Sequence, residues 1–123
     1  MSVTSEETAA SISEALREAL ERRDIDAVRD LYADDAVAVT YSERNRPSSA
    51  EELRGRHAIE EMWREVERRN LTEEVLEEVV GENRFALTLQ CTYPSGEKVI
   101  GTYICEVRDG KVVRQKGAEA WDE

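Results

Sequence analysis

The fold of this chain is decided in residues 83–121, which read NRFALTLQCTYPSGEKVIGTYICEVRDGKVVRQKGAEAW. Three successive runs in this stretch alternate apolar and polar residues, which is typical of strands that bury one face. A Pro-Ser-Gly-Glu sequence at residues 94–97 separates the first two runs, and Asp109-Gly110 separates the last two. Asp-Gly between alternating runs is a strong signal for a two-residue hairpin turn of type I′. The stretch therefore predicts three antiparallel strands that follow one another in the sheet.

The two turns also predict a register for these strands. Pairing Tyr93 with Lys98 and Arg108 with Lys111 places alternate residues on the same side of the sheet. The predicted inner face carries Phe85, Leu87, Leu89, Cys91, Ile100, Thr102, Ile104, Val113, Gln115, Gly117, Glu119 and Trp121. The predicted outer face carries Thr88, Gln90, Thr92, Gly101, Tyr103, Cys105, Arg114 and Lys116. Because the inner face is mostly apolar, we expect helices to cover it, with Gly101 and Gly117 as bend sites.

Length and charge limit what this chain can be. With 123 residues it is predicted to form a single domain over residues 1–123. The net charge of −11 argues against partners such as nucleic acid or a membrane surface, and favours neutral, apolar or cationic ones. No apolar run reaches the length of a membrane span or a signal-peptide core, which predicts a cytoplasmic protein. The predicted register puts Cys91 and Cys105 on opposite faces, which argues for two reduced thiols.

Helix and strand patterns in the rest of the chain complete the predicted architecture. The first two predicted elements are helices, one opened by a capping box at residues 4–7 and one after Asp24 that ends near residues 33–35. They are followed by a strand over residues 36–42, a loop over residues 43–50, a helix after Gly55 and a strand over residues 72–80. The Glu77-Glu78 pair interrupts the alternation of that strand and leaves its register open. Together these elements predict an α+β fold, in which a mostly antiparallel sheet wraps around three helices from the N-terminal half.

Four short segments resemble one protein family. They are Arg23-Asp24-Ile25-Asp26, Leu31-Tyr32-Ala33-Asp34-Asp35-Ala36-Val37, Gly55-Arg56-His57-Ala58-Ile59 and Arg108-Asp109-Gly110-Lys111-Val112-Val113. In this order they resemble the SnoaL-like branch of the nuclear transport factor 2-like superfamily, which has a cystatin-like fold. The resemblance implies a cone-shaped, strongly curved sheet around the helices, a pocket for a small apolar molecule, and a homodimer formed through the sheet.

The same resemblance permits a comparison with two kinds of enzyme in the superfamily. The general base, the oxyanion-hole Tyr and the protonated Asp of ketosteroid isomerase correspond to Thr40, Leu16 and Ile104, which cannot supply those groups. The comparison therefore argues against ketosteroid isomerase activity. SnoaL-type cyclases carry an acid/base Asp on the last strand, and Glu119 is the nearest carboxylate here, with Asp122 less well placed.

Glu119 is the candidate catalytic residue. An inward-facing carboxylate loses hydration, so we expect its pKa to rise toward the range of a useful proton carrier. The alternative is a solvated strand end at which Glu119 contacts water or an arginine. The candidate ligand-binding residues are Thr40, Met62, Trp63, Leu87, Leu89, Thr102, Ile104, Gln115 and Trp121. The large residues could instead be plain core, and Gln115 and Thr102 could instead bond each other or a buried water.

The sequence predicts neither a metal nor a cofactor. One histidine, His57, and two cysteines on opposite faces cannot form a zinc site, and His57 is expected on the exposed first turn of its helix. No P-loop, dinucleotide fingerprint or nucleophile elbow is present. Two hypotheses remain. The preferred one is a non-catalytic domain that binds a small apolar molecule, and the other is a cofactor-independent lyase, isomerase or cyclase that uses Glu119 as its acid/base.

Overall fold

The computed structural model describes residues 8–122. Its elements are α1 (Ala9–Arg22), α2 (Ile25–Asp30), β1 (Tyr32–Tyr41), β2 (Glu51–Arg54), α3 (Arg56–Arg68), β3 (Thr72–Val80), β4 (Arg84–Thr92), β5 (Lys98–Arg108) and β6 (Lys111–Trp121). The six strands form one sheet in the order β2-β1-β6-β5-β4-β3. Strands β1 and β6 are parallel, and every other neighbouring pair is antiparallel. The predicted α+β class is confirmed.

The three helices cover one face of the sheet, which we call the concave face. Helix α1 contacts β3, β4 and β5, whereas α3 contacts β1 and β2 at the other end of the sheet. A single helical layer can reach both ends only because the sheet curves around it. The core between the layers includes Ile12, Leu16, Leu20, Ile25, Val28, Ile59, Trp63, Phe85, Leu87, Leu89, Cys105 and Val112. On α1 the buried residues Ile12, Leu16 and Leu20 recur every four positions, which is the spacing of one helix face.

Side-chain caps decide where the first two helices begin. The Oγ1 atom of Thr8 accepts a hydrogen bond from the backbone N–H of Ser11 at 3.3 Å and caps α1. The capping box predicted at residues 4–7 lies outside the described residues. Asp24 caps α2 as predicted, because its carboxylate accepts from the backbone N–H of Ala27 at 3.2 Å. Each cap satisfies a helical N–H that has no partner within its helix.

Strand β1 begins earlier than the sequence pattern predicted. Helix α2 ends at Asp30, and β1 starts at Tyr32 instead of residue 36. Tyr32 pairs with Val112 of β6, and the backbone N–H of Val112 donates to the carbonyl of Leu31 at 2.8 Å. This long-range pairing overrides the local helical pattern. The short strand β2 was also missed, because it follows a polar segment that was predicted to be a loop.

The loop between β4 and β5 contains five residues, and this corrects the predicted register. The backbone N–H of Tyr93 donates to the carbonyl of Glu97 at 2.8 Å, so both residues belong to the loop. Thr92 therefore pairs with Lys98, and the predicted pairing of Tyr93 with Lys98 is wrong. Every residue of β5 moves by one position relative to β4, which exchanges the two faces of β5.

A β-bulge between β5 and β6 adds a second one-residue shift. The turn itself is confirmed, since Asp109 and Gly110 have φ angles of 53° and 75°. Beyond it, however, Val107 pairs with Val112 while Glu106 pairs with Arg114, so Val113 is the extra residue. Beyond the bulge the two shifts cancel on β6, so Gln115, Gly117, Glu119 and Trp121 keep their predicted face. Before it, Val112 is buried in place of Val113, and the predicted inward orientation of Val113 is wrong.

Strand β5 carries the consequence of both shifts. Tyr103 and Cys105 lie on the concave face, and the predicted inner residues Ile100, Thr102 and Ile104 lie on the opposite, convex face. Ile104 is 49% exposed, which agrees with this assignment. The two cysteines share the concave face, so their predicted placement on opposite faces is wrong. Both are nevertheless free thiols.

The register of β3, which the sequence left open, is set by a further bulge. Val75 pairs with Leu89 and Glu77 with Thr88, so Leu76 is the extra residue. The bulge allows two glutamates of β3, Glu73 and Glu78, to face the helices. Glu78 accepts a hydrogen bond from the buried hydroxyl of Ser13 on α1.

Candidate functional site

A cavity of about 660 Å³ lies between the helices and the concave face of the sheet. Its apolar walls include Met62, Trp63, Val66, Leu71, Leu89 and Val99. Tyr103, Gln115, Glu119 and Trp121 place polar groups on the sheet side, and the lining also includes charged residues such as Arg44, Glu61 and Arg69. A mostly apolar cavity with a few polar groups is the usual composition of a small-molecule site.

A hydrogen-bonded pair forms the polar centre of this cavity. The hydroxyl of Tyr103 donates to Oε2 of Glu119 at 2.5 Å, and the indole Nε1–H of Trp121 donates to Oε1 at 3.2 Å. Each carboxylate oxygen therefore has one protein donor and keeps a lone pair for another partner. These contacts hold the carboxylate of Glu119 in one orientation at the cavity wall.

Two glycines make room for the Tyr103 ring. A Cβ atom on Gly117 would lie 2.2 Å from Cδ1 of Tyr103, and one on Gly101 would lie 2.4 Å from its hydroxyl oxygen. Real Cβ atoms do not approach other atoms so closely. The ring therefore lies along the sheet across both glycines, and this orientation brings its hydroxyl to Glu119. The glycines are close-approach positions for the ring rather than the predicted bend sites.

Burial shapes the acidity of the groups around this pair. Burial, reinforced by the charge of Glu119, raises the pKa of the Tyr103 hydroxyl, so Tyr103 remains a hydrogen-bond donor at physiological pH. Burial, together with the charges of Glu73 and Glu119, raises the pKa of the Cys91 thiol to about 12. Cys91 lines the cavity as a neutral thiol and is a poor nucleophile.

A second tyrosine pair lies deeper on the concave face. The hydroxyl of Tyr32 donates to Oε1 of Gln115 at 2.5 Å, and the Cys105 thiol donates to the same oxygen at 3.6 Å. Tyr32 and Cys105 are fully buried, and Gln115 is 4% exposed. Burial raises the pKa of Tyr32. This cluster is neutral and closes one end of the cavity.

Glu73 is a half-buried acidic residue that the sequence pattern did not single out. It pairs with Cys91 across β3 and β4, and its Oε1 atom is buried with no hydrogen-bond partner within residues 8–122. Burial raises its pKa to about 7, and the positive charge of Arg23 opposes this rise. Its orientation depends on the bulge at Leu76, so no local pattern could have identified it.

Charged residues surround the opening of the cavity. Glu65 of α3 binds Arg68 at 2.9 Å and Arg69 at 3.1 Å. On the opposite side, the guanidinium carbon of Arg44 lies 5.2 Å from the centre of the Trp121 ring. Arg44 belongs to the segment between β1 and β2.

The structure brings together most of the residues that the sequence nominated. Glu119 lies at the cavity wall together with the nominated residues Thr40, Met62, Trp63, Leu89, Gln115 and Trp121. Leu87 is buried in the core and does not line the cavity. Thr102 and Ile104 lie on the convex face, so their predicted inward orientation is wrong. His57 is exposed, as predicted.

Tyr103 is the principal site residue that sequence reasoning missed. The predicted register had assigned it to the outer face, and had compared Ile104 with the acidic residue of the isomerase. Gly101 and Gly117 were a usable signal for its position. Gly101 lies two residues before Tyr103 on β5, and Gly117 pairs with Tyr103 from β6. Small residues at matched positions of neighbouring strands indicate that something packs closely over them.

Neither a metal-binding cluster nor a membrane-spanning helix occurs within residues 8–122. No group of three or more His, Cys, Asp or Glu side chains there is arranged to hold a metal ion. None of the helices in the same range is long and apolar enough to span a membrane.

Comparison with known proteins assigns the family. Residues 13–115 match the family model of the SnoaL-like domain. The chain belongs to the SnoaL-like family. No curated protein matches the sequence.

Solved structures resemble this SnoaL-like domain over most of its length. A candidate ketosteroid isomerase from Kribbella flavida DSM 17836 is 20% identical with a TM-score of 0.76, and the match covers 96% of this chain and 79% of that one. An NTF2-like protein of unknown function from Mesorhizobium loti is 20% identical with a TM-score of 0.78, covering 100% and 97%. A candidate polyketide cyclase from Sinorhizobium meliloti is 23% identical with a TM-score of 0.68, covering 87% and 93%. At these identities the likeness is one of fold.

Proposed function

We propose that this SnoaL-like domain binds a small, largely apolar molecule in its cavity, with a polar group of that molecule at Glu119 and Tyr103. The observation that carries the proposal is the 2.5 Å hydrogen bond between these two side chains at the wall of a cavity whose lining also includes Met62, Trp63, Leu89 and Val99. The volume of about 660 Å³ falls within the range of small-molecule sites. A ligand hydroxyl can donate to the free lone pairs of Glu119 while its apolar body packs against Leu89 and Val99.

Binding is measured with N-phenyl-1-naphthylamine, a neutral apolar probe that fluoresces when it leaves water. We expect saturable fluorescence enhancement with the wild-type domain. Thr40→Trp places a large ring at the cavity wall and is expected to abolish the enhancement. Val39→Trp is the matched control, because Val39 is the neighbouring residue of β1 and does not line the cavity. Equal probe binding in both variants would contradict the proposal.

A second candidate function is proton transfer by Glu119. The two donors on its carboxylate, Tyr103 and Trp121, support this role because they fix the base without neutralising it. In this reaction Glu119 takes a proton from a carbon next to a ligand carbonyl, and then returns it to another atom of the same molecule. The step needs no metal, oxidant or cofactor. A candidate isomerase and a candidate cyclase among the similar structures support such chemistry.

Proton transfer is measured by NMR as exchange of the α-protons of 2-tetralone in deuterated buffer. We expect the wild-type domain to accelerate the exchange, and Glu119→Gln to return it to the rate of buffer while binding of N-phenyl-1-naphthylamine persists. Glu61→Gln is the control, since Glu61 also lines the cavity but has no hydrogen bond to Tyr103. Exchange that is unaffected by Glu119→Gln would leave a binding domain without this chemistry.

We also propose that residues 1–123 form one domain that works in the cytoplasm as a homodimer. The two free thiols support a reducing compartment. The convex face supports the dimer, because large apolar side chains are exposed there, with Val79 at 64%, Ile104 at 49% and Ile100 at 40%. The polar residues between them, such as Thr88, match the mixed composition of a subunit interface.

The dimer is tested by light scattering coupled to size-exclusion chromatography. Ile104→Glu introduces a charge at the centre of the convex face and is expected to give a monomer of about half the mass. Val80→Glu is the control, because Val80 pairs with Phe85 and is exposed at the edge of the sheet without facing the convex side. A wild-type chain that elutes as a monomer would contradict the proposal.

A further inference from the structure

Arg44 occupies a distinctive position at the opening of the cavity. Its guanidinium stacks on the Trp121 ring at 5.2 Å, and Trp121 in turn donates to Glu119. Arg44, Ser42 and Trp121 also line, together with Glu43, a second pocket of about 350 Å³. Arg44 and Trp121 therefore border both the main cavity and the second pocket.

Arg44 also lacks the carboxylate partner that most arginines of this acidic chain have. Arg54, Arg56 and Arg64, for example, each bind a carboxylate at 3.0 Å or less. Within residues 8–122, no carboxylate lies at ion-pair distance from Arg44, and no protein acceptor takes a hydrogen bond from its side chain. Its five N–H donors are consequently available to a ligand.

The other charged groups at the opening do not change this conclusion. Arg68 and Arg69 share the single carboxylate of Glu65, so each already uses part of its hydrogen-bonding capacity within the protein, and the three residues together keep one net positive charge. Glu51 and Glu61 also line the cavity and would repel an anion that approached from their side. Arg44 is therefore the arginine of the cavity lining that has no carboxylate partner within residues 8–122, and Glu43 is the acidic residue that lines the second pocket with it.

The position of Arg44 over the Trp121 ring favours recognition of an anion. Its guanidinium carbon lies 5.2 Å from the ring centre, and a guanidinium carries a planar edge of N–H groups. Such an edge matches the two oxygens of a carboxylate, which it binds through two parallel hydrogen bonds. The aromatic ring also holds the cation in place before a ligand arrives.

We propose that Arg44 binds the carboxylate of the ligand and that the molecule recognised by this domain is an apolar acid. This inference rests on the proposed function of the cavity and adds the class of ligand. The carboxylate lies against Arg44 at the opening, and the apolar body extends into the cavity along Val99 and Leu89. Because Trp121 contacts both Arg44 and Glu119, one side chain connects the anion site to the polar centre.

The experiment compares decanoate with 1-decanol as competitors for bound N-phenyl-1-naphthylamine at pH 7.5. The two competitors have the same chain length and differ in the charged group. We expect Arg44→Gln to raise the apparent dissociation constant of decanoate about tenfold and that of decanol less than about twofold. Arg44→Lys, which keeps the charge but loses the planar fork, is expected to fall between wild type and Arg44→Gln.

Arg46→Gln is the matched control, because Arg46 is an exposed arginine of the same segment that does not line the cavity. It should leave both dissociation constants unchanged. The inference is overturned if Arg44→Gln weakens both competitors equally, if it weakens neither, or if Arg46→Gln has the same effect. In those cases a probe that still binds and is still excluded by Thr40→Trp leaves the proposed function intact. If the probe does not bind the wild-type domain, both proposals fail.

Discussion

Two tyrosines on the concave face make the same contact in different surroundings. The hydroxyl of Tyr32 donates to Gln115 at 2.5 Å, and that of Tyr103 donates to Glu119 at the same distance. The first pair is fully enclosed, and its acceptor is a neutral amide. The second pair lies at the cavity wall, and its acceptor is a carboxylate held by a second donor, Trp121.

The difference shows that hydrogen-bond geometry alone does not distinguish a structural pair from a functional one. In the enclosed pair, the Tyr32 hydroxyl and the Oε1 atom of Gln115 bond each other away from water, and losing one partner leaves a buried atom poorly satisfied. In the pair at the cavity, Glu119 keeps unused lone pairs and water can replace a lost partner. The first pair should therefore affect stability most, and the second should affect binding and chemistry.

The largest expected effect comes from filling the space beneath Tyr103. Gly117→Ala puts a methyl group within 2.2 Å of the ring, so Tyr103 must leave its position and its contact with Glu119. We expect the free energy of unfolding to fall by about 3 kcal/mol. In a Tyr103→Ala background the same change should cost less than about 1 kcal/mol, because the clash is absent. Urea denaturation of the four proteins measures this coupling, and equal costs in both backgrounds would show that the glycine serves another purpose.

Glu73 differs from both tyrosine pairs, because its buried Oε1 atom has no hydrogen-bond donor within residues 8–122. Its pKa of about 7 in the folded state lies above that of the unfolded chain, so its buried charge destabilises the fold at high pH. The penalty is absent below about pH 4, grows as the pH rises, and is complete above about pH 7. Glu73→Gln should therefore raise the free energy of unfolding by about 2 kcal/mol at pH 8.

The same substitution should have no effect on stability at pH 4. Glu74→Gln, at the exposed neighbouring residue, is the control and should change stability little at either pH. Urea denaturation at the two pH values provides the measurement. A destabilising effect of Glu73→Gln at pH 8 would mean that its carboxylate has a favourable partner.

The smallest expected effects on the free energy of unfolding come from removing the hydroxyl of Tyr32 or of Tyr103. Tyr32→Phe leaves the buried Oε1 atom of Gln115 with only the weak thiol donor, and we expect a loss of about 1.5 kcal/mol in the free energy of unfolding. Tyr103→Phe should cost less than about 0.5 kcal/mol, because Glu119 keeps Trp121 and gains water. Thermal or urea unfolding of both variants measures the difference. Similar losses would remove the distinction between the two pairs.

Much of the fold follows from local sequence signals. The strand alternation after residue 83, the Asp109-Gly110 turn, the Asp24 cap and the apolar helix stripes all correspond to observed elements. For the site, Glu119 and six of the proposed lining residues face the cavity. Thr102, Ile104 and Tyr103 were assigned to the wrong faces, because a shift of one residue reverses a strand. The five-residue loop and the bulge at Val113 cause these shifts, and neither has a distinct local pattern.

The sequence by itself determined the α+β class, the family, and a carboxylate on the last strand, because each depends on local periodicity, turn residues or short motifs. Only the tertiary structure decided that Tyr103 meets Glu119, that one carboxylate oxygen of Glu73 is buried, and that Arg44 lies over Trp121. These contacts join strands and segments distant in the chain, and they depend on register. Register is set by the sum of many pairings across the sheet, in which one extra residue exchanges the cavity face and the outer face.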